Sequence, residues 1–298
     1  MTAAAPAAFD TAPPRRRTGL LRRSMGHSGL VLGGMTLVAI VAIALAAPLI
    51  APHDPYNQDL AHRLIPPVWQ AKGSWEHALG TDKLGRDYLS RLIFGARISL
   101  LIGTLTVLIS GTIGTVIGVC AGYFGGKVDA VLSYVVTTRL ALPVVLVALA
   151  SAALVGSSLE GVIVVLGLLL WDRFAVVTRS ATMQVARSDY VAAAQAVGCS
   201  TLRILVSEIL PNILNALIVV ATLEMAHAIL LEAALSFLGL GVQPPLPSWG
   251  LMISEGKQYM FFSPWVIAIP AAALVLLVLA INLVGDGLRD VTAPENRG

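Results

Sequence analysis

Glu224 and His227 stand three residues apart in a long apolar run, so on a helix they share one face. A carboxylate beside an imidazole can form an ion pair or pass a proton. Inside lipid, such groups turn toward a protein interior or a water-filled path. Glu232 lies near the outer end of that run, and Asp172 and Arg173 sit directly after Trp171 in another apolar run. Arg139 lies in a third. Asp172, Arg173 and Glu232 fall toward the ends of their runs, where local pairing or snorkelling is the better explanation. Covalent chemistry finds no support. GxSxG, HExxH and CxxC motifs are missing, and His27, His53, His62, His77 and His227 make no metal-binding pair at helical spacing. Cys120 and Cys199 read as two free thiols. The stretch "AGYFGGKV", 121–128, approaches a phosphate loop, but Ala121 replaces the first glycine and Val128 the Mg²⁺-binding hydroxyl. No bound cofactor or metal is expected, and the chain by itself is not expected to be an enzyme.

The elements that must carry these residues are set by composition. The chain has 298 residues, of which 56% are hydrophobic and 12% charged, with a mean hydropathy of +0.81. Soluble domains carry roughly 25% charged residues, so lipid must solvate much of this surface. The net charge of +3 is too small and too scattered for nucleic acid. A bilayer core needs about 20 apolar residues per helix. Six runs qualify, at about 29–50, 97–119, 131–155, 160–178, 213–236 and 264–285. The first follows Arg15, Arg16, Arg17, Arg22 and Arg23. It exceeds the ~7–15 residues of a signal-peptide core, so an uncleaved span is the better reading despite Ala44-Leu45-Ala46.

The basic tail 1–28 then lies in the cytoplasm. Alternation puts 51–96, 156–159 and 237–263 outside, and 120–130, 179–212 and the tail beyond Asp286 inside. The inside segments carry Lys127, Arg179, Arg187, Arg203, Arg289 and Arg297. The first outer segment strains the rule, holding Arg63, Lys72, Lys83, Arg86, Arg91 and Arg97 beside five acidic residues. Its length weakens the rule there. The expected organisation is tail 1–28, first span 29–50, extracytoplasmic segment 51–96, core 97–290 with a special region at 188–212, and cytoplasmic tail 291–298.

That special region, "DYVAAAQAVGCSTLRILVSEILPN" at 189–212, is polar for this chain and helix-forming. Ser188 is placed to cap a helix, with Asp189 at the positive end of its dipole. Tyr190, Val191, Ala194 and Val197 recur at helical spacing. Gly198 can take the left-handed conformation that ends a helix. Ser200 starts a second helix with Leu202, Leu205, Val206 and Ile209 on one face, and Pro211 should break it before the fifth span. The result is a stiff helix–turn–helix with a small smooth surface, suited to docking.

This region resembles the "EAA" loop of binding-protein-dependent ABC importer permeases. Ala193, Ala194, Gly198, Leu210 and Pro211 fit that pattern, while Ala192 stands where the family has Glu and Glu208 where it has a hydrophobic residue or His. The segments "HALGTDKLGRDYLSRLIFGARISLLIG" (77–103), "AGYFGGKVD" (121–129), "SFLGLGVQPPLPSWGLMISEGKQYM" (236–260) and "NLVGDGLRD" (282–290) resemble the dipeptide/oligopeptide branch. The resemblance spans about 29–290. It implies an all-α integral membrane protein with six transmembrane helices, the type I ABC importer permease fold and cytoplasmic EAA-type coupling helices. It implies a bacterial cytoplasmic (inner) membrane location with both termini cytoplasmic. It also implies a second homologous permease subunit, two ABC ATPase domains that use ATP and Mg, and an extracytoplasmic solute-binding protein. Tyr190, Val191, Ala192, Ala193, Ala194, Gly198, Leu210 and Pro211 would dock the ATPase and couple to it. The loss of a carboxylate at Ala192 would remove one charge-assisted contact.

Glu224, His227 and Glu232 are then candidates for the translocation path. In the outer loop 237–263, the prolines give a stiff path. Pro244, Pro245 and Trp249 are its candidate contacts to the binding protein or a gate, with an interfacial aromatic belt of Trp249, Tyr259, Phe261 and Phe262 as the plainer alternative. The expected function is the permease subunit of an importer of di- or oligopeptides, working by alternating access. Two rivals are the same machine importing nickel or another small solute, and an ion-gradient-driven transporter using Glu224 and His227 as a proton relay. The second would show inverted repeats and broken midplane helices.

Overall fold

A computed structural model of the protein describes residues 27–292. The tail arginines Arg15 to Arg23, Arg297 and most of the tail 291–298 lie outside the described residues. The described chain is helical, with two isolated β-bridges as its only strand-like pairing. Its helices are α1 (Ser28–Leu45), α2 (Tyr88–Phe124), α3 (Gly126–Ala141), α4 (Val144–Val155), α5 (Leu159–Leu169), α6 (Asp172–Ala186), α7 (Asp189–Ala196), α8 (Thr201–Phe237), α9 (Trp249–Gly256) and α10 (Trp265–Thr292). Five stretches are long and apolar enough to cross a membrane: α1, α2, α5 with α6, α8 and α10.

The third expected span differs. α3 and α4 meet at an angle of 87° across Leu142 and Pro143. Proline has no N–H for the helix ladder and pushes the preceding residue out of the helical region. Leu142 accordingly sits at φ −86°, ψ 129°. The pair counts as a sixth crossing only as a broken one. The second span also starts earlier than the apolar run at 97, because Asp87 accepts a hydrogen bond from Ser90 N (2.8 Å) and caps α2 at Tyr88.

Tight packing between α2 and α6 organises the bundle. Gly114, Gly118 and Gly122 lie one turn apart on α2, and a Cβ on each would come within 2.3–2.7 Å of the α6-side carbonyls of Trp171, Ala175 and Arg179. Only a side-chain-free stripe allows that approach. His27 Nε2, at the start of α1, lies 3.1 Å from Asp290 Oδ2, near the end of α10. The first and last described spans therefore begin and finish at one end of the bundle.

Candidate functional site

The charged residues buried in the spans converge. Arg173 at the start of α6 reaches Glu224 on α8, Nη1 to Oε1 3.0 Å. One turn on, His227 Nδ1 lies 3.4 Å from Glu224 Oε2, the shared face expected from the spacing. Arg139 on α3 donates to the Leu169 carbonyl and lies 3.9 Å from Asp172 Oδ2. All five side chains line one cavity of about 250 Å³, closed on another side by Leu142 and Pro143 at the α3–α4 bend. Glu224 is buried at 1% exposure, yet its partner Arg173 is 58% exposed. The arrangement therefore presents two cations, two carboxylates and an imidazole to one cavity.

Glu232 has a different setting. It is 1% exposed and accepts hydrogen bonds from Ser236 Oγ (2.7 Å) and Ser248 Oγ (3.0 Å). Ser248 in turn accepts from Leu251 N and caps α9. Glu232 thus fastens the short α9 to α8 and does not line the cavity. Trp249 is also interior, with Nε1 donating to Leu92 O (2.9 Å) and N donating to Ser99 Oγ (3.2 Å). It packs α9 against α2, while Pro244, Pro245, Phe261 and Phe262 are exposed.

At the far end of the helices, α7 carries the 188–212 region. Gly198 has φ +83°, which L side chains rarely adopt. Cys199 N donates to Ala194 O and Gly198 N to Gln195 O, each at 3.0 Å, the pair of bonds that closes a helix at a left-handed glycine. The turn stands as expected. Ser188 does not cap α7 through its side chain, because its hydroxyl donates back to Val185 O. Of the expected stripe, Val191 is fully buried and Ala194 partly so, against Val119, Ile204, Ile209 and Ile213. Tyr190, Ala192, Ala193 and Val197 are exposed. Pro211 does not break the chain. Thr201 to Phe237 is one helix, with a π-helical stretch at Ile204–Ile209 just before the proline. Widening the ladder there accommodates the missing N–H, and it brings Ile204 inward while Leu202 and Val206 stay outside.

Comparison with known proteins places this architecture. Residues 114–298 match the family model for the binding-protein-dependent transport system inner membrane component, and residues 20–67 match the N-terminal transmembrane domain of oligopeptide transport permease C. The chain belongs to this family of inner-membrane transport components. It is 43% identical, over 92% of its length and 90% of the relative's, to a di/tripeptide transport system permease protein DppC of Pseudomonas aeruginosa. It is 44% identical to a dipeptide transport system permease protein DppC of Escherichia coli K12, covering 90% of each chain. A solved structure of the MetNI methionine ABC transporter in an inward-facing conformation shares the fold, with a TM-score of 0.56 at 21% identity, covering 68% of this chain and 96% of that one.

As a family member, this inner-membrane component is a multi-pass permease subunit. Its near-phosphate loop is a helix–helix turn. Residues 121–124 end α2, Gly125 and Gly126 have positive φ, and α3 follows at once. The sequence alone missed a second ion network in the permease. Arg86 Nε lies 2.6 Å from Asp82 Oδ2, and Arg86 and Arg91 reach Glu255 on α9 at 3.2 and 2.9 Å. Arg86 is 2% and Arg91 0% exposed, so two of the six cations counted in the outer segment are buried and neutralised. The available signal was their crowding with Asp82 and Asp87, but Glu255 lies more than 160 residues away in sequence.

Proposed function

We propose that this permease subunit forms half of the path of an ATP-driven importer for di- or oligopeptides. In this reading a second, similar permease completes the path, two ABC ATPase domains use ATP and Mg at the α7 end, and a solute-binding protein delivers cargo at the α9 end. Both termini are cytoplasmic. The observation that carries the reading is α7, a short capped helix with Tyr190, Ala192, Ala193 and Val197 exposed beside a rigid glycine turn. Its surface is small, apolar and unburdened by long charged side chains, and it is anchored through Val191 to the ends of α2 and α8. Such a knob suits insertion into a groove on another protein. Relatives named as dipeptide permeases support the peptide cargo.

The proposed mechanism is alternating access. Closure of the ATPases moves α7, and α7 moves α8, which bears Glu224 and His227. The cavity between Arg139, Asp172, Arg173 and that pair would then face one side or the other. Two cations and two carboxylates match the charged ends of a short peptide. The burial of Arg86 and Arg91 supports the sidedness, because these two cations do not act as free loop charges.

The test is a reconstituted transporter in vesicles, with labelled dipeptide uptake and ATP hydrolysis measured together. A β-branched residue at Gly198 must adopt φ +83° or abandon the turn, at about 1–2 kcal/mol. Gly198→Val should leave the assembled complex hydrolysing ATP while uptake falls severalfold. Uptake by this chain without ATPase partners, driven by a proton gradient, would overturn the reading.

A further inference from the structure

At the end of the bundle opposite α7, two histidines and an aspartate converge. His53 follows the first span, His77 lies in the segment before α2, and Asp87 caps α2. His77 Nδ1 is 2.9 Å and His53 Nδ1 3.7 Å from the same oxygen, Asp87 Oδ1. The ring centroids are 4.9 Å apart. One potential ligand atom from each residue falls within 4.8 Å of the other two. The second Asp87 oxygen is occupied by the helix cap at Ser90 N.

A His–Asp hydrogen bond accounts for His77 but not for His53. His53 Nδ1 is buried with no hydrogen-bond partner, and 3.7 Å is too long for one. It points at a carboxylate that is 1% exposed. Among the described residues, the ion-pair partners of Asp87 are these two imidazoles. The neighbouring Arg86 is turned away to Asp82 and Glu255. A buried carboxylate and an orphaned imidazole nitrogen thus face one point with no cation of the chain between them.

We propose that His53, His77 and Asp87 bind a zinc-type divalent ion. Ligand bonds of about 2.0–2.2 Å in a tetrahedron put ligand atoms about 3.3 Å apart. The observed 2.9 and 3.7 Å to Asp87 straddle that value, and all three ligand atoms lie within 4.8 Å of one another, so ring movements of about an ångström complete the site. Two neutral imidazoles and one carboxylate suit zinc and its first-row neighbours rather than calcium or magnesium. His53 is 37% exposed, which leaves a way in and a fourth position for water. The ion ties the end of the first span, the intervening segment and the start of α2 to one centre.

The experiment uses the assembled transporter, stripped with chelator and titrated with ZnCl₂ alone, with bound zinc counted by mass spectrometry. Wild type should hold one more zinc per copy of this chain than His53→Ala/His77→Ala. Asp87→Asn, which keeps a capping oxygen, should bind at least ten-fold more weakly. X-ray absorption at the zinc edge of the wild-type complex should show imidazole scattering, a reading that needs no variant to fold. Equal zinc in wild type and double variant, or an edge without the imidazole signature in the wild type, overturns the proposal.

Discussion

Two ion networks in this molecule use the same types of side chain in different settings. Asp82, Arg86, Arg91 and Glu255 join the start of α2 to α9, with both arginines at 2% exposure or less. Arg139, Asp172, Arg173 and Glu224 join α3, α6 and α8, but Arg173 is 58% exposed and the group lines a cavity of about 250 Å³. The first network keeps both arginines out of solvent, so each depends on its carboxylate partners, with part-exposed Lys83 3.5 Å from Glu255 at its edge. The second opens at Arg173 into a cavity, while Arg139, Asp172 and Glu224 stay at 11%, 10% and 1% exposure. Residue type does not distinguish the two groups; how far each partner is exposed does.

The contrast is tested most severely at Arg91. Arg91→Ala should strip Glu255 of a buried partner and destabilise the subunit by about 3–5 kcal/mol, seen as early unfolding of the detergent-solubilised complex. A thermal midpoint close to wild type would mean that the cluster is hydrated after all. Glu224→Gln should act in the opposite manner, leaving the midpoint within a few degrees of wild type while peptide uptake falls about ten-fold, or about 1.4 kcal/mol. Loss of assembly with that variant would place the cavity group with the buried network.

The exposed Asp59–His62 pair, 2.6 Å apart, extends the comparison to full hydration. The hydrogen bond to Asp59 raises the His62 pKa above its ordinary range, and the same bond lowers that of Asp59. Whatever stability His62 adds is therefore complete below its unfolded pKa and lost as pH rises through the raised value. The Asp59 share is present above the usual carboxylate range and lost as pH falls through the lowered value. A histidine titration by NMR should show the upward shift shrinking in high salt, with no measurable change in unfolding temperature.

Local chemistry was legible where one short stretch decides the outcome. Gly198 ends α7 because no other residue takes φ +83° without cost. Glu224 and His227 meet because a three-residue spacing puts both on one helix face. Pro211 was misleading, since a proline early in a helix can be absorbed by a π-turn when Ile204, Ile209 and Ile213 gain burial by it. Trp249, a candidate contact to the binding protein or a gate or else an interfacial aromatic, is buried, its indole filling the space left by Gly95 on α2.

The sequence by itself determined that the chain enters lipid, that five of its six apolar runs lie in long helices, and that α7 ends in a rigid turn, because hydropathy and backbone sterics act over a few residues. Tertiary structure alone decided that Arg139, Asp172, Arg173, Glu224 and His227 share a cavity, that Arg86 and Arg91 are sealed against Glu255, and that His53 meets His77 at Asp87. Those groupings depend on the 87° bend at Pro143 and on how closely α2, α6, α8 and α9 approach. Charges separated along the chain acquire a role only when packing decides which of them water can still reach.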